Sequence, residues 1–520
     1  MKNAIKIFKQ GLDKWVSIEN VSRPDGIIER CAVEYLQKAL AYMENVTVVS
    51  ATINTIGRYD MGELPPQTDL PDFCDVRIQE KTQGGNIANI IVWLPLNWNQ
   101  RFFGTGGGGN RIDINWSYME TFRVMTLPRA IQNGFAAAVS DGGNQDPRHF
   151  EWGLNEETKE LDWELIKNLS YRSTHSMTVI GKAVTKAIYG TEPLYSYYQG
   201  ASGGGRQGLT EAQRYPKDYD GIWAADSAIN WSKFTMNCIW PFLVMKEYNN
   251  FLSYKKLDAF NDAVIAEFGN SNGFIETLDV PEFDPNKLVG KQTDDGIITE
   301  TDATVMKKIW EGPRTSTDEF LWYGYRPGTI TWGEDQRQFG AIKYMRTDDK
   351  DVPVVLPICK AYIGSWLLRD PDWDWTTLTV EQFEELFQLS VNEFTEISSD
   401  NPDLTAFRDN GGKLLLSHGV NDELIPSDGT IDYYNRVLKQ MGGEEQVLPF
   451  LRLFYTPGNG HTNVTTNGPG LCIADGMIAL MKWVEEGIEP DSIETVRYDF
   501  SAKKVISTNQ VDIYRKNSSK

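Results

Sequence analysis

Only four histidines, His149, His175, His418 and His461, occur in the 520 residues. Any imidazole chemistry must draw on that short set. Cysteine is as sparse: Cys31, Cys74, Cys238, Cys359 and Cys472, with no CxxC pair. This excludes a disulfide framework and a cysteine zinc site, and leaves Cys31–Cys74 as the one pair considered for a bridge. No run approaches the roughly 18 apolar residues that a membrane-spanning helix needs, so no membrane partner is expected. Basic residues are also short, 51 Lys+Arg against 72 Asp+Glu for a net charge of −21. That argues against a nucleic-acid partner. The N-terminus, Met1 to Gln10, breaks its apolar residues with lysines and has no hydrophobic core of a secretory signal. A cytoplasmic location is therefore expected, with secretion reserved for a processed chain.

What is present is an alternation of strand and helix signals. Val46 to Ser50, Cys74 to Ile78, Ile87 to Leu94 and Phe135 to Ser140 read as strands. A short apolar strand at Arg101–Gly104 runs into Gly106 to Gly109. A helix is predicted over 170–189, closed by Gly190. A further strand at Leu194–Tyr198 precedes Gly200-Ala201-Ser202-Gly203-Gly204. A helix is read from Arg206 and a strand at Gly221–Ala225. This order implies an α/β fold on a parallel sheet.

The alternation stops near residue 230. Residues 231–395 are turn-rich and hold eight of the sixteen tryptophans, which predicts a separate core and an aromatic-lined lid. The α/β pattern returns with a strand at Gly412–Gly419, a helix over 430–441, a strand at Leu448–Tyr455 and a last core helix over 473–486. The domain reading is a catalytic domain in two parts, 1–230 and 396–520, around an inserted lid, 231–395.

A strand, a Gly-flanked turn carrying Ser and then a helix is the geometry of a nucleophile elbow. Side chains at Gly200 and Gly204 would clash there. This makes the fold class an α/β-hydrolase with a large inserted lid domain. A serine hydroxyl needs a base to take its proton, and the base needs an acid to hold its tautomer. In this fold the chain order is Ser, acid, His, so His149 and His175 drop out. His418 follows a strand with no Asp or Glu candidate at an obvious strand end before it. His461, in the loop Pro457-Gly458-Asn459-Gly460-His461, follows a strand and fits the base. Asp422, just past the strand ending near Gly419, fits the acid, with Glu423 and Asp428 as fallbacks. The oxyanion donors are read as the N–H of Gly203 and, from the 105–107 loop, Gly106. A phosphate cradle at the glycines would want a following Lys-Ser/Thr, which is absent.

The block Tyr198-Gln199-Gly200-Ala201-Ser202-Gly203-Gly204-Gly205-Arg206-Gln207-Gly208-Leu209, continuing through Glu211 to Pro216 and Asp220-Gly221-Ile222, resembles the tannase/feruloyl esterase family. Tyr171-Arg172 with His175, Asn401-Pro402-Asp403-Leu404, Gly411 to Leu414, Ile431 to Tyr434 and Pro457-Gly458 with Gly460-His461 extend the resemblance. It implies a hydrolase of small-molecule esters of aromatic acids, such as gallate or hydroxycinnamates, acting without a cofactor. By residue match Ser202, Asp422 and His461 take the nucleophile, acid and base roles.

The family pattern places cysteines just before the serine and just after the histidine, joined by a disulfide. Here those positions are Ala201 and Thr462, a joint loss that suits a reducing compartment. The family's lid often carries an Asp-rich calcium loop. Asn270-Ser271-Asn272-Gly273 has no carboxylate of its own, with only Glu267 and Glu276 close, so no metal is expected. Two other readings stay open: an esterase of unrelated acyl specificity, and a silent binding protein on the same fold.

Overall fold

The computed structural model describes residues 5–10, 13–18, 23–61, 64–109, 126–144, 150–155, 157–332, 341–347, 350–461, 470–474, 476–499 and 504–515. A nine-stranded sheet organises it: β1 (Val46–Asn54), β2 (Phe73–Lys81), β3 (Ile87–Pro95), β4 (Arg101–Thr105), β5 (Ala136–Ser140), β6 (Tyr195–Ala201), β7 (Gly221–Ala225), β8 (Lys413–Gly419) and β9 (Leu451–Thr456). Their spatial order is β9-β8-β7-β6-β4-β5-β3-β2-β1.

The sheet is mixed where a parallel one was expected. β1, β2 and β3 run antiparallel to their neighbours, and only β4 to β9 pair in parallel. The cause is connection length: the five residues between β2 and β3 allow a hairpin but no crossover. The parallel strands are buried along their whole length, apart from the first residues of β6 and β8. Their near-continuous apolar runs suit a sheet covered on both faces.

One face packs Val92, Phe102 and Ile222 against α2 (Ser173–Tyr189), and the other packs Trp93, Phe103 and Leu415 against α10 (Gly476–Glu486). The α2 helix ends at Gly190, whose φ of 80° supplies the left-handed cap. It starts three residues later than predicted, because Asn168–Arg172 form a π-turn ahead of it. The helix after Ser202, α3 (Gly203–Arg214), starts three residues earlier than predicted. Glycine disfavours helices, but here three glycines form the first turn under a second loop. Arg206 on α3 is fully buried, and its guanidinium donates to the carbonyls of Leu169, Ser170 and Ile397. This ties the elbow to segments far away in sequence.

Between β7 and β8 the chain leaves the sheet and forms helices that include α4 (Trp231–Asn237), α5 (Trp240–Glu247), α6 (Tyr254–Phe268), α7 (Glu300–Glu311) and α8 (Val380–Glu393). Buried Trp231, Trp240, Trp322, Trp332 and Trp366 share an apolar cluster with these helices. Chain order then resumes with β8, α9 (Asp428–Met441), β9 and α10. Cys31 and Cys74 form a disulfide with Cα atoms 6.1 Å apart, tying the segment before β1 to β2. Among the described residues no helix is long and apolar enough to cross a membrane.

Candidate active site

Ser202 is the single residue between β6 and α3, with φ 59° and ψ −121°. An L-residue held there costs on the order of 1–3 kcal/mol, a strain that persists only when its surroundings fix it. They do: its N–H donates to Ala225 O at 3.0 Å, and its carbonyl accepts from Arg206 N and Ala228 N at 3.0 Å each. The expected clashes are present. A Cβ on Gly200 would lie 2.5 Å from the Gly204 carbonyl carbon, and one on Gly204 would lie 2.6 Å from Gly107 O. The glycine-rich loop thus rests directly on the first turn of α3.

Within that loop Gly106 faces Tyr198, Gly204 and Gln207, and the Gly107 N–H is taken by Gln207 Oε1 at 2.9 Å. Among the described residues of the loop, Gly109 lines a cavity together with Ser202 and His461. Gly106, the residue expected from the sequence, is not among the described residues that line it.

The structure brings Asp422 and His461 together, with His461 Nδ1 2.7 Å from Asp422 Oδ2. The same oxygen also meets His418 Nε2 at 3.0 Å, and Asp422 Oδ1 accepts the N–H groups of Leu424 and Ile425 at 2.8 Å each. Burial works against charge on Asp422, yet the two imidazoles hold its carboxyl well below the usual range. Burial likewise works against an imidazolium at His461. The neighbouring Asp422 carboxylate outweighs it, raising His461 to about 9.

The fallback acids are otherwise engaged. Glu423 Oε2 accepts the backbone N–H of His461 at 2.9 Å, and burial followed by the Asp422 charge pushes Glu423 up to about 8. Asp428 is bonded to Arg326 at 2.6 and 2.9 Å.

Sequence reasoning passed over His418. It is buried and bridges Asp422 to Thr430 Oγ1, 2.7 Å from its Nδ1. The signal was its four-residue spacing from Asp422. Asp226, also missed, accepts Gly419 N–H at 2.7 Å beneath the same group, and burial raises its pKa. His175 lies elsewhere, stacked on Tyr215 and 2.6 Å from Asp218. His149 and Thr462 fall outside the described residues.

The Ser202 cavity has apolar walls from Ala228, Phe234, Leu356, Ile358 and Leu424, with the thiols of Cys238 and Cys359. Trp231 and Thr235 complete the α4 side. Two larger clefts, of about 620 and 550 Å³, contain none of Ser202, Asp422 or His461. The calcium position does not fit a metal. Asn270 holds Glu276 at 2.8 Å, and Lys287 holds both oxygens of Glu267 at 2.7 Å.

Residues 74–518 match the tannase and feruloyl esterase family. A probable feruloyl esterase of Arthroderma benhamiae is 35% identical over 486 residues, covering 90% of this chain and 87% of that protein. Two solved structures are similar. The tannin acyl hydrolase from Aspergillus niger has a TM-score of 0.80 at 22% identity, over 95% of this chain and 93% of that one. Feruloyl esterase B from Aspergillus oryzae has a TM-score of 0.76 at 23% identity, over 94% and 96%. These likenesses give the fold, an α/β-hydrolase.

The kinship also corrects the expected compartment. The homologous feruloyl esterases and tannases are secreted, extracellular enzymes, which overturns the cytoplasmic placement. The Cys31–Cys74 bridge likewise suits an oxidising compartment rather than a reducing one. The chain belongs to the tannase and feruloyl esterase family and is a carboxylic ester hydrolase.

Proposed function

We propose that this enzyme hydrolyses esters of aromatic, phenolic acids through an acyl-enzyme on Ser202. The supporting observation is the arrangement around His461. Its Nδ1 faces the Asp422 carboxylate, which leaves Nε2 for the cavity that His461 shares with the strained Ser202. His461 Nε2 takes the Ser202 hydroxyl proton as Oγ attacks the ester carbonyl. The oxyanion is met by the Gly203 N–H, with the second donor supplied by the glycine-rich loop at 105–109. Collapse breaks the C–O bond to the alcohol, and His461 returns the proton to the departing oxygen. A water then repeats the sequence, with His461 as base, and frees the acid and Ser202.

Asp422 remains ionised throughout and holds the imidazole in one tautomer. Residues 231–395 serve as the lid, since α4 and the stretch around Leu356–Cys359 supply most of the cavity wall. The aromatic acyl preference is supported by that apolar, tryptophan-bearing wall and by the names of the family relatives.

The test is hydrolysis of methyl ferulate, methyl gallate, methyl benzoate and a short p-nitrophenyl ester by wild type and Ser202→Ala. Activity on an aromatic ester that falls by about 10⁴-fold or more in the variant is the expected result. Activity surviving in Ser202→Ala would remove Ser202 as nucleophile. Turnover of the p-nitrophenyl ester alone would overturn the aromatic preference.

A further inference from the structure

Three side chains that the proposed ester chemistry does not use converge outside the Ser202 cavity. His175 comes from the first turn of α2, Glu211 from the last turn of α3, and Asp218 from the connection into β7. Each offers one ligand atom, an imidazole nitrogen or a carboxylate oxygen, and the three atoms lie within 4.8 Å of one another. Glu211 is fully buried, and neither of its oxygens has a hydrogen-bond partner. The neighbouring ammonium, Lys182 Nζ, donates to the Asp218 main-chain carbonyl instead. A buried carboxylate without a donor is costly, and it persists where a proton or a cation neutralises it.

We infer that His175, Glu211 and Asp218 hold a divalent transition-metal ion of the zinc type. Imidazole nitrogen with carboxylate oxygen is a zinc donor set, whereas calcium takes oxygens alone and more of them. Two carboxylates against one ammonium leave negative charge to receive the ion. Ligand atoms about 2.1 Å from a tetrahedral ion stand about 3.4 Å from one another. His175 Nδ1 and Asp218 Oδ2 are 2.6 Å apart, so seating the ion parts that pair by about 0.8 Å. The His175 side chain is 35% exposed and stacked on Tyr215 at 3.8 Å, so its ring can slide while keeping its plane. His175 also lines the cleft of about 550 Å³, which gives the ion, and a water in its fourth position, a route from solvent. Once bound, the ion ties α2 and the approach to β7 to the helix that begins at Ser202, clamping the elbow helix at its far end. The site is separate from the lid loop at 270–273, whose residues do not fit a metal.

The experiment strips the full-length enzyme with EDTA, titrates it with ZnCl2 by calorimetry, and counts zinc retained after gel filtration by elemental mass spectrometry. Wild type is expected to retain one zinc per chain, with Tm raised by about 2 °C when free zinc is about a hundredfold above Kd. Glu211→Gln keeps the side-chain shape without the charge, and His175→Gln removes the imidazole. Each is expected to weaken zinc binding by about tenfold or more. A wild type that retains no zinc and gains no Tm overturns the inference, and the two carboxyls then share a proton. Zinc held equally by wild type and both variants overturns it too, since the ion then sits elsewhere on the acidic surface. If a variant does not fold, the zinc absorption-edge spectrum of wild type decides. An imidazole in a four-ligand nitrogen and oxygen shell supports the site, and an all-oxygen shell overturns it.

Discussion

Glu423 Oε2 holds the backbone N–H of His461 at 2.9 Å, so the residue beside the proposed acid fixes the main chain of the proposed base. Glu423 is fully buried and raised to about 8 from 4.5, so at neutral pH it is largely protonated. The native state therefore keeps a proton that the unfolded chain gives up above pH 4.5, and stability is lost as pH rises from there through about 8. Glu423→Gln keeps an acceptor for His461 N–H but cannot ionise. Its Tm is expected to match wild type at pH 5 and to exceed it by about 1–3 °C at pH 9. A constant difference across that range would contradict the assignment. Glu423→Ala leaves the amide unpaired and should cost about 1–3 kcal/mol.

His461 acts as a base only when neutral, and Asp422 raises it from 6.5 to about 9 in the free enzyme. The acid limb of the kcat/KM profile is therefore expected above pH 6.5, with activity still climbing in the alkaline range. The same shift stabilises the fold below pH 6.5 and is lost as pH rises through about 9. A limb midpoint at or below pH 6 would show that Asp422 does not dominate the imidazole.

Asp422→Asn should lower kcat by about 10⁴-fold, as loss of the tautomer-fixing acid does in other hydrolases of this design. His418→Gln tests a subtler contribution. Glutamine keeps an amide donor there, so the companion variant His418→Leu is the one that removes one of the four donors on the Asp422 carboxylate, making that oxygen a better partner for His461. The expected outcome is a drop in kcat of up to about tenfold together with a higher acid-limb pKa. A loss of kcat with no movement of the limb would point to packing damage instead.

Gly204→Ala places a methyl group 2.6 Å from Gly107 O, and neither backbone can yield without opening the elbow. A loss of about 1–3 kcal/mol in urea unfolding is expected, with kcat/KM falling by more than about tenfold because the oxyanion loop moves. Wild-type stability in this variant would mean that the loop does not rest on α3.

The Cys31–Cys74 bridge spans 43 residues, and its removal in the double serine variant should cost about 2–4 kcal/mol. Thiol labelling of the denatured, unreduced chain gives a direct count. Cys238, Cys359 and Cys472 should label, and Cys31 and Cys74 should not.

The proposed triad was legible because its marks are local: glycines around Ser202, and Asp422 and His461 each just beyond a strand. What was not legible depends on contacts distant in sequence. Gly109 lines the cavity while the Gly107 N–H is held by Gln207, 100 residues away in the chain. The α3 helix begins at Gly203 because the space beneath that loop admits only glycines, which local propensity counts against a helix. His418 was set aside because no Asp or Glu candidate at an obvious strand end precedes it, whereas its acid lies four residues after it. The antiparallel half of the sheet followed from a short connection whose meaning depended on which strands it joined. The compartment was misread from the N-terminus, and only relatives corrected it.

Strands β7 and β8 lie side by side, Gly221 opposite Lys413, although residues 226–412 separate them in the chain. Closing so long a loop costs little more free energy than closing a short one, because the cost grows only with the logarithm of length. In time it is another matter, since distant pairings form slowly. A growing chain displays the β7 edge, with its backbone groups unpaired, throughout synthesis of the intervening helices. During that interval the serine exists without the aspartate or the histidine. Under the proposed triad the nascent protein lacks its acid and base yet is prone to stick, and the strand that covers its open edge is made before His461 completes the set.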